Sequence, residues 1–451
     1  MLPVVTPDEM QAIDAAAPEP VEVLIERAGA AAAREALDLL GGAYGRRVVV
    51  VAGRGNNGAD GRAAARRLRR RGAQVVELAA GDAPDPLPPC DLVIDAAYGT
   101  GLRRDYDAPR PCTPTPVLAV DIPSGVDGLT GALRGDPLPA TRTVTFAALK
   151  PGLLLHPGRA RGGDVRLADI GLDVSRARAH VVEAADVRAW LPDREPDSHK
   201  WRHAVWVIAG SPGMTGAAHL ASAAALRAGS GYVRLSTPGG GDDPAAPTEV
   251  VRVPVKPDLV LDAAEVARFG AIVVGPGLGR HDDVREGVRR LVASADVPMV
   301  IDGDGIVALG DDAAGVLRAR KAPAVLTPHD GEFRALAGTA PDADRFAAVR
   351  GLAGRLGCVV LLKGRTTLVA EPSGRVLVST AGDQRLATAG TGDVLSGVIG
   401  ALLAQGVPAF EAAAAGAFVH GTAASLGAAT GLVASDLLAL VPRAIARVKE
   451  S

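Results

Sequence analysis

The stretch GRGNNGADG, residues 53–61, lies between a valine-rich run at 47–52 and an alanine- and arginine-rich run at 59–71. A glycine turn between a buried strand and a helix lets the backbone approach a ligand, and the free N–H groups at the helix start can bind phosphate. Many such turns hold no ligand, but turn chemistry needs only one polar residue, and this stretch has two asparagines and an aspartate. It therefore predicts a strand, a turn and a helix, with a ligand bound at the turn.

Short valine-rich runs recur along the chain and are separated by helical patterns. Such runs are typical of strands buried on both faces, and strands that alternate with helices predict a parallel sheet with helices on both faces. The expected fold class is therefore α/β. The expected strands are 47–52, 74–78, 91–96, 117–121, 143–147, 204–209, 271–275, 298–302, 324–327 and 359–363, and the expected helices include 21–40, 59–71, 392–405, 409–427 and 434–448.

Length and a polar break divide the chain into domains. With 451 residues it is too long for one ordinary hydrophobic core, so two domains are expected. The polar, proline-bearing stretch LPDREPDS at 191–198 is the predicted linker. This gives a first domain at 1–190 and a second at 199–451. No internal repeat relates the two halves, which are expected to be different α/β domains.

Composition argues against several classes of partner. The formal net charge of −2 gives no field that would gather nucleic acid or an anionic membrane, and the RRLRRR run at 66–71 is interpreted as a solvated helix face. Cys90, Cys112 and Cys358 have neither paired spacing nor an even count, which predicts reduced thiols. The chain start lacks a signal-peptide pattern, and no apolar run reaches about 18 residues. We expect a soluble cytoplasmic protein without nucleic-acid or membrane partners.

Two further polar loops follow expected strands in the first half. DAAYGTGL at 95–102 comes after one strand, and DIPSGVD at 121–127 comes after another. The carboxyl ends of parallel strands meet at one edge of a sheet, where ligands bind, so Asp60, Asp95 and Asp121 are expected near one another. Carboxylate, amide and hydroxyl oxygens suit a hard cation. The alternative, that each aspartate caps a helix or a turn, stays open.

Together these loops resemble the NAD(P)H-hydrate epimerase domain, a Rossmann-like parallel-sheet fold, from about residue 6 to about residue 172. IERAG at 25–29 and KPG at 150–152 match the same family, whereas Ala59 stands where the family usually has a second glycine. The resemblance implies a potassium ion held by Asn57, Asp95 and Ser124. Asp121 is the expected catalytic residue, because a carboxylate can shuttle a proton and stabilise the cationic ring formed during epimerisation. The implied contacts to the hydrate are Asn56, Asn57, Gly58, Ala59, Asp60, Gly99, Thr100, Gly101, Leu102, Arg103, Arg104, Asp105 and Asp121.

The second half carries its own glycine loop, ATAGTGD at 387–393, before an apolar helical run at 394–403. Successive backbone N–H groups at the helix start would form an anion hole where charge builds on a transferring phosphoryl group. Asp393, at the head of the helix, can accept the proton of an attacking hydroxyl. The alternative is an N-capping aspartate after a glycine turn, which is met in many proteins.

This loop resembles the ribokinase-like fold, and its neighbours resemble the ADP-dependent NAD(P)H-hydrate dehydratase from about residue 199 to about residue 448. The matching motifs are HKWRH at 199–203, GMTGAA at 213–218, GPGLG at 275–279, TPHDGEF at 327–333 and KGRTT at 363–367. DGDGIV at 302–307 departs from the usual DADGLN, with Val307 in place of asparagine, but keeps carboxylates that can organise magnesium or substrate. The resemblance implies that the hydrate is contacted by Ala217, Gly277, His329 and Asp393, and that ADP with magnesium is bound at Lys363, Gly364, Arg365, Thr366, Thr367 and Gly392.

The two resemblances imply a bifunctional metabolite-repair enzyme, an isomerase joined to a lyase. The first domain would interconvert the R and S epimers of hydrated NADH and NADPH, and the second would dehydrate the S epimer with ADP, giving AMP and phosphate. One alternative keeps the fold but makes the second half a kinase that releases the phosphoester of a vitamin alcohol. Another makes the first half a non-catalytic nucleotide-binding module. We expect only small-molecule substrates and a homo-oligomer.

Overall fold

The computed structural model describes residues 1–450, which divide into two compact units. The first runs from Leu2 to Ala179, and the second from His180 onward, with Met1. The domain boundary therefore falls at 179 and not at 190, and the predicted linker at 191–198 lies inside the second unit. In that stretch Asp193 accepts a hydrogen bond of 2.8 Å from Lys449. A surface loop and a linker have the same polar composition, so the sequence alone did not separate them.

The first unit contains one sheet in which the strands pair in the order β3-β2-β4-β5-β6-β7, all parallel. A 3-10 helix at Gly158–Arg161 follows its last helix. The elements are β1 (Leu2–Val4), α1 (Pro7–Ala15), α2 (Val21–Leu40), β2 (Arg47–Ala52), α3 (Asn56–Arg70), β3 (Gln74–Ala79), β4 (Leu92–Ala96), β5 (Val117–Val120), β6 (Arg142–Phe146), α4 (Pro151–Leu154) and β7 (Asp164–Ala168).

Both faces of this sheet are buried, which explains the continuous valine runs. Val48 and Val50 of β2 belong to the core that α2 and α3 cover, whereas Val49 belongs to the core on the opposite face. That opposite face is covered largely by loop residues such as Leu102 and Tyr106. The opposite face also carries the one-turn helix α4, whose Leu153 packs against Val165 of β7. Helices therefore lie on both faces as expected, although the chain between β4 and β5 runs as irregular structure.

The second unit contains a larger sheet with strand order β8-β17-β16-β15-β14-β13-β12-β9-β10-β11. Two 3-10 helices occur at Gly310–Asp312 and Gln384–Leu386. The elements are β8 (Ala179–Val181), α5 (Ala184–Trp190), β9 (Ala204–Ile208), α6 (Gly216–Arg227), β10 (Tyr232–Ser236), β11 (Val251–Arg252), α7 (Ala263–Val266), β12 (Ala271–Val274), α8 (Asp282–Ser294), β13 (Met299–Ile301), α9 (Asp304–Leu309), α10 (Ala313–Arg318), β14 (Ala324–Leu326), α11 (Asp330–Ala337), α12 (Arg345–Leu356), β15 (Val359–Leu362), β16 (Thr367–Ala370), β17 (Val376–Ser379), α13 (Thr391–Ala404), α14 (Ala409–Ser425) and α15 (Ala434–Glu450).

Neighbouring strands are parallel along the part of the sheet ordered β15-β14-β13-β12-β9-β10-β11. Strand β16 is antiparallel to both β15 and β17. The alanine-rich helices α6, α13, α14 and α15 share one core. Small residues let their backbones approach closely, since a Cβ at Gly397 of α13 would lie 2.1 Å from the carbonyl oxygen of Ala221. Within residues 1–450 no helix has the length and hydropathy needed to cross a bilayer.

Candidate active sites

A cavity of about 690 Å³ lies at the carboxyl edge of the first sheet. Its lining comes from α1 and α2, including Met10, Asp14 and Leu24, and from the start of α3 and the loops after β4 and β5. This edge is where ligands bind parallel sheets. The predicted substrate residues that line the cavity are Asn56, Asn57, Asp60, Gly99, Thr100, Gly101, Leu102, Arg103, Arg104 and Asp121.

Two predicted substrate residues, Gly58 and Ala59, lie within α3 and do not line the cavity. A Cβ at Gly58 would stand 2.0 Å from the carbonyl oxygen of Gly53, so only glycine lets the helix meet the turn. The helix begins at Asn56, earlier than the predicted start at 59, and both asparagines therefore stand on its first turn. The methyl group of Ala59 is accommodated on the helix, so its departure from the family leaves the turn intact.

Asp121 and Lys150 form the charged centre of the cavity. Lys150 Nζ donates to Asp121 Oδ1 at 2.5 Å, to Thr145 Oγ1 at 2.9 Å and to the carbonyl oxygen of Phe146 at 3.1 Å. The lysine side chain is 1% exposed, so its ammonium is held in one place against the carboxylate. Asp121 itself has a φ of 67°, a left-handed conformation that few non-glycine residues adopt and that aspartate tolerates better than most.

Asp60 and Asp14 add two more carboxyl groups to the same cavity. Burial raises the pKa of Asp60 to about 8, and the negative charges of Asp121 and Asp14 add to the shift. Partial burial also raises the pKa of Asp14, which the charge of Lys150 opposes and that of Asp121 reinforces. With Glu19, four carboxyl groups thus line the cavity together with Lys150, Arg103 and Arg104. A pKa of about 8 keeps Asp60 mostly protonated at neutral pH.

Asp95 and Ser124, two of the predicted potassium ligands, contact each other. Ser124 Oγ donates to Asp95 Oδ1 at 2.6 Å, and the Ser124 backbone N–H donates to Asp95 Oδ2 at 2.8 Å. Asp95 is 3% exposed, and burial raises its pKa against the hydrogen bonds from Ser124. The alternative that Asp95 caps a turn has some support, because Ala97 N–H also donates to it, at 3.3 Å.

The third predicted ligand, Asn57, has a buried side-chain amide with no hydrogen-bond partner at either Oδ1 or Nδ2 within residues 1–450. A buried polar group left unpaired costs about 1–3 kcal/mol, so its partner is expected to come from outside the chain. Asn57 lines the cavity beside Gly99, where a Cβ would lie 3.6 Å from the amide carbon. An unpaired amide oxygen, a carboxylate and a hydroxyl form a donor set that fits a hard cation.

The loop after β4 brings two arginines to the cavity. Arg104 Nη2 donates to the Tyr98 hydroxyl at 2.7 Å, and its guanidinium lies 5.4 Å from the centre of that ring. Arg103 lines the cavity and is exposed, whereas the predicted contact Asp105 is exposed and does not line it. Guanidinium groups suit the phosphates of a dinucleotide. Asp105 is negatively charged, as phosphate is, and would not attract it.

Asp393 stands in the first turn of α13, at the carboxyl edge of the second sheet. The helix follows Gly390, whose φ of 89° is left-handed, and no side chain caps its first turn. The N–H groups of Thr391 and Asp393 donate to the carbonyl oxygens of Thr388 and Gly390, so of this turn it is the Gly392 N–H that is available to an anion. Burial raises the pKa of Asp393 to about 7, with the charge of Asp302 adding to the shift and that of Lys363 opposing it.

Lys363 connects this helix start to the end of β15. Its Nζ donates to Asp302 Oδ1 at 2.8 Å and lies 3.6 Å from Glu332 Oε2. Burial would raise the pKa of Asp302, but the charge and hydrogen bond of Lys363 outweigh it and hold that pKa below its usual value. Asp302 also accepts a hydrogen bond of 2.7 Å from Ser396 Oγ. A Cβ at Gly392 would lie 3.5 Å from Lys363 Nζ, so two predicted nucleotide residues, Lys363 and Gly392, are adjacent.

The remaining predicted nucleotide residues follow Lys363 in the turn between β15 and β16. Gly364 and Arg365 are exposed, Thr366 is buried, and Thr367 begins β16.

Ala217 and Gly277, two of the predicted hydrate contacts, lie side by side, since a Cβ at Gly277 would stand 3.1 Å from the Ala217 Cβ. The other glycine of that motif, Gly279, instead donates its N–H to Asp304 Oδ2 at 3.0 Å. Arg280 Nε bonds the second oxygen of Asp304 at 3.2 Å. This carboxylate of the 302–307 run is therefore already engaged within the chain.

His329 caps α11 through its side chain. Its Nδ1 accepts hydrogen bonds from the N–H groups of Gly331 at 2.9 Å and Glu332 at 3.2 Å. An imidazole that accepts at Nδ1 carries its proton at Nε2 when neutral. The side chain is 59% exposed, so Nε2–H remains able to donate to a ligand while Nδ1 holds the cap.

Comparisons with known proteins agree with this division into two sites. A family model described as NAD(P)H-hydrate dehydratase matches residues 205–446, and one described as YjeF-related protein N-terminus matches 21–84 and 79–152. The bifunctional NAD(P)H-hydrate repair enzyme of Salinibacter ruber is 37% identical over 98% of this chain and 96% of its own length. That of Mycobacterium leprae is 41% identical over 91% and 90%. The chain belongs to the family of bifunctional NAD(P)H-hydrate repair enzymes.

Solved structures of this family's dehydratase part resemble the second unit. The ADP/ATP-dependent NAD(P)H-hydrate dehydratase from Bacillus subtilis, co-crystallised with ATP and Mg²⁺, superposes with a TM-score of 0.50 at 30% identity, covering 59% of this chain and 97% of that one. A ribokinase-like superfamily protein from Enterococcus faecalis gives 0.54 at 24% identity, covering 60% and 97%. The second unit therefore has the expected ribokinase-like fold.

Sequence reasoning matched Lys150 to the repair-enzyme family but gave it no role, and it assigned none to Asp14. The composition did single out Lys150. Only six of the 49 basic residues are lysine, and Lys150 is the one lysine before residue 200. Arginine and lysine are not interchangeable where a compact ammonium is buried. Lys150 and Lys363 each pair with a carboxylate in one of the two sites. No local pattern distinguishes Asp14 from an ordinary helix-surface residue.

Proposed function

We propose that this protein repairs hydrated NADH and NADPH in two steps. The first unit interconverts the R and S epimers of the hydrate, and the second dehydrates the S epimer with ADP, giving NAD(P)H, AMP and phosphate. The observation that carries the proposal is a pair of lysine–carboxylate centres, Lys150–Asp121 and Lys363–Asp302, one at the carboxyl edge of each sheet. Family membership over both halves of the chain supports the same assignment.

In the epimerase unit the chemistry is exchange of a hydroxyl between two faces of a ring. The hydroxyl leaves as water when a general acid protonates it, and the ring nitrogen supplies the electrons that leave a cationic ring. Asp60 is protonated at neutral pH and lines the cavity, so it fits the general acid. Asp121, held by Lys150, places negative charge where the ring becomes cationic.

Potassium is the proposed ion of this unit, held by Asn57, Asp95 and Ser124. The unpaired amide oxygen of Asn57 supports this assignment, because no residue of the described chain satisfies it. When bound, the ion would supply positive charge beside Asp95, a buried carboxyl group that forms no salt bridge within the described residues. It would also fix the loops that carry the neighbouring site residues.

The Asp95→Ala variant tests the cation site. We expect epimerisation to slow about tenfold or more, while dehydration of the S epimer continues at its normal rate. Wild-type melting temperature and epimerisation rate should rise with potassium more than with sodium, and the variant should lose this response. The matched control is Asp82→Ala, an exposed aspartate of the same unit. An ion-independent wild type would make Asp95 a structural turn residue.

In the dehydratase unit the hydroxyl is phosphorylated before it leaves. Hydroxide is a poor leaving group, since the pKa of water is about 15.7, whereas phosphate leaves readily. Asp393 accepts the proton of the hydroxyl, and the uncapped start of α13, with the N–H of Gly392, stabilises charge on the phosphoryl group. Lys363, next to Gly392, balances charge on the nucleotide.

Magnesium is proposed to enter this site on the phosphates of ADP. Asp302, Glu332 and Asp393 outnumber Lys363, the one lysine near them, so the site has an excess of negative charge that favours an accompanying cation. The oxygens of Asp302 and Asp304 are already engaged by other residues of the chain. We therefore propose that Asp302 and Asp304 hold neighbouring residues in place and that magnesium is bound mainly by the phosphates of ADP.

The two reactions should respond to pH in opposite directions. Asp393 must be ionised to act as a base, so dehydration kcat/KM should rise about tenfold per pH unit up to its pKa of about 7 and then level off. Asp60 must be protonated to act as an acid, so epimerisation kcat/KM should fall above its pKa of about 8. Profiles measured separately with R and S hydrates test this. Parallel profiles would contradict both assignments.

Incubation of the purified protein with a mixed-epimer hydrate and either ADP or ATP tests the function as a whole. Complete recovery of reduced-nicotinamide absorbance with phosphate release requires both activities. Conversion that stops at the S fraction would make the first unit a binding module, and release of a stable phosphoester would favour the kinase alternative. ADP preference rests on the family resemblance, so a higher specificity constant with ATP would overturn it.

A cytoplasmic location and a homo-oligomer complete the proposal. Three free thiols, Cys90, Cys112 and Cys358, support a reducing compartment. The oligomeric state stays a prediction, and sedimentation analysis of the full chain measures it.

A further inference from the structure

Asp14 lines the first cavity from helix α1, whereas Asp60 lines it from α3 and Asp121 from the loop after β5. It lies in the last turn of α1, exposed as a residue but with its carboxyl group partly buried toward the cavity. A carboxylate at a helix C-terminus is unfavourable to the helix dipole, and this turn has no basic residue to compensate it. Its backbone carbonyl accepts from Ala17 N–H, but its carboxylate accepts no hydrogen bond within residues 1–450. The side chain of Asp14 therefore adds no hydrogen bond to the fold.

Inversion at a hydroxyl-bearing carbon needs proton transfer on both faces of the ring. On one face the C–O bond breaks, the hydroxyl takes a proton and leaves as water, and the nitrogen lone pair forms a C=N bond. On the other face a second water adds to the same carbon and gives up a proton. One water leaves and one enters, so no oxidant or reductant is needed. A site with acids and bases on one face would exchange the hydroxyl but would return the same epimer.

We propose that Asp14 is a further catalytic residue of epimerisation, the proton donor and acceptor on the ring face opposite Asp60 and Asp121. This rests on the proposed function of the first unit. In one direction Asp60 protonates the leaving hydroxyl and Asp14 takes the proton of the incoming water. In the other direction the two residues exchange roles, as an epimerase acting on both R and S substrates requires.

The charges of the cavity support a joint role of Asp14 with Asp60 and Asp121. Burial is the first cause of the raised pKa of Asp60 and of Asp14; the charge of Asp14 adds to the first shift and that of Asp121 to both, so the three groups lie close enough to influence one another. Lys150 is on the sheet-edge side and is bonded to Asp121, which leaves Asp14 without an ion pair. An unpaired carboxyl group whose proton affinity is raised by its surroundings is suited to exchange a proton with water.

The Asp14→Asn variant in ¹⁸O-labelled water tests the proposal on the full-length enzyme. Wild type should incorporate one solvent oxygen with each inversion, above the enzyme-free background. The variant should lose inversion by about a hundredfold or more while it still incorporates ¹⁸O into the starting epimer, because the Asp60 and Asp121 face remains intact. The control is Asp8→Asn, an exposed aspartate on the same helix that does not line the cavity; it should invert at the wild-type rate.

The outcomes separate this proposal from the function beneath it. A wild type that neither inverts nor exchanges oxygen would overturn the epimerase function itself. If wild type inverts and Asp14→Asn inverts equally fast, the role of Asp14 is overturned and the function stands. If the variant loses inversion and oxygen exchange together, Asp14 acts in bond cleavage or folding, and the two-face assignment is overturned.

Discussion

Replacing Asp393 by asparagine is expected to slow dehydration by about a hundredfold to ten-thousandfold, the usual contribution of a general base. Asparagine keeps the shape of the side chain but cannot take the proton of the hydroxyl. The pKa of about 7, set first by burial and then by Asp302, makes this carboxyl the group best matched to that role near neutral pH. Epimerisation should continue unchanged, because its residues lie in the other unit.

Steady-state dehydration of the S epimer with ADP, and separate R-to-S conversion, measure this result. Glu411→Gln is the matched control, since Glu411 also stands in the first turn of an alanine-rich helix, α14. Circular dichroism melting shows whether the helices survive. More than about a tenth of wild-type turnover in Asp393→Asn would remove this residue from the role of base.

Replacing Lys150 by methionine is expected to lower the free energy of unfolding of the first unit by about 3–5 kcal/mol and to abolish epimerisation. The change leaves Asp121 partly buried without its counter-ion and removes three hydrogen bonds made by Lys150 Nζ. Trp190, Trp201 and Trp206 all lie in the second unit. The tryptophan fluorescence transition should therefore stay in place, while the circular dichroism transition gains an earlier component.

The double variant Lys150→Met with Asp121→Asn separates stability from catalysis. Asparagine removes the unpaired charge and tolerates the left-handed backbone at this position better than an apolar residue. Most of the lost stability should return, whereas epimerisation should remain absent. Recovery of both would show that the pair is structural only, and recovery of neither would show that packing around Lys150 is the dominant loss.

The sequence by itself determined the features that depend on residues adjacent in the chain, such as the bounds of strands and helices. β2 at 47–52 and α2 at 21–40 have the predicted bounds, because valine runs and the spacing of apolar helix residues are local properties. The glycine loops predicted both sites for the same reason, since a strand, a turn and a helix start follow one another in the chain. Family motifs extended this to the fold of each unit and to the two reactions, which the comparisons support.

Only the tertiary structure decided which distant residues meet. Lys150 pairs with Asp121 across 29 positions, and Lys363 with Asp302 across 61, and no local pattern encodes either contact. The antiparallel direction of β16 in the second sheet likewise depends on which strands pair. The unpaired amide of Asn57 is apparent only in the folded chain, since it depends on which groups surround it. Charge and hydrogen bonding at a site are sums over all neighbours in space, whereas the sequence records only neighbours along the chain.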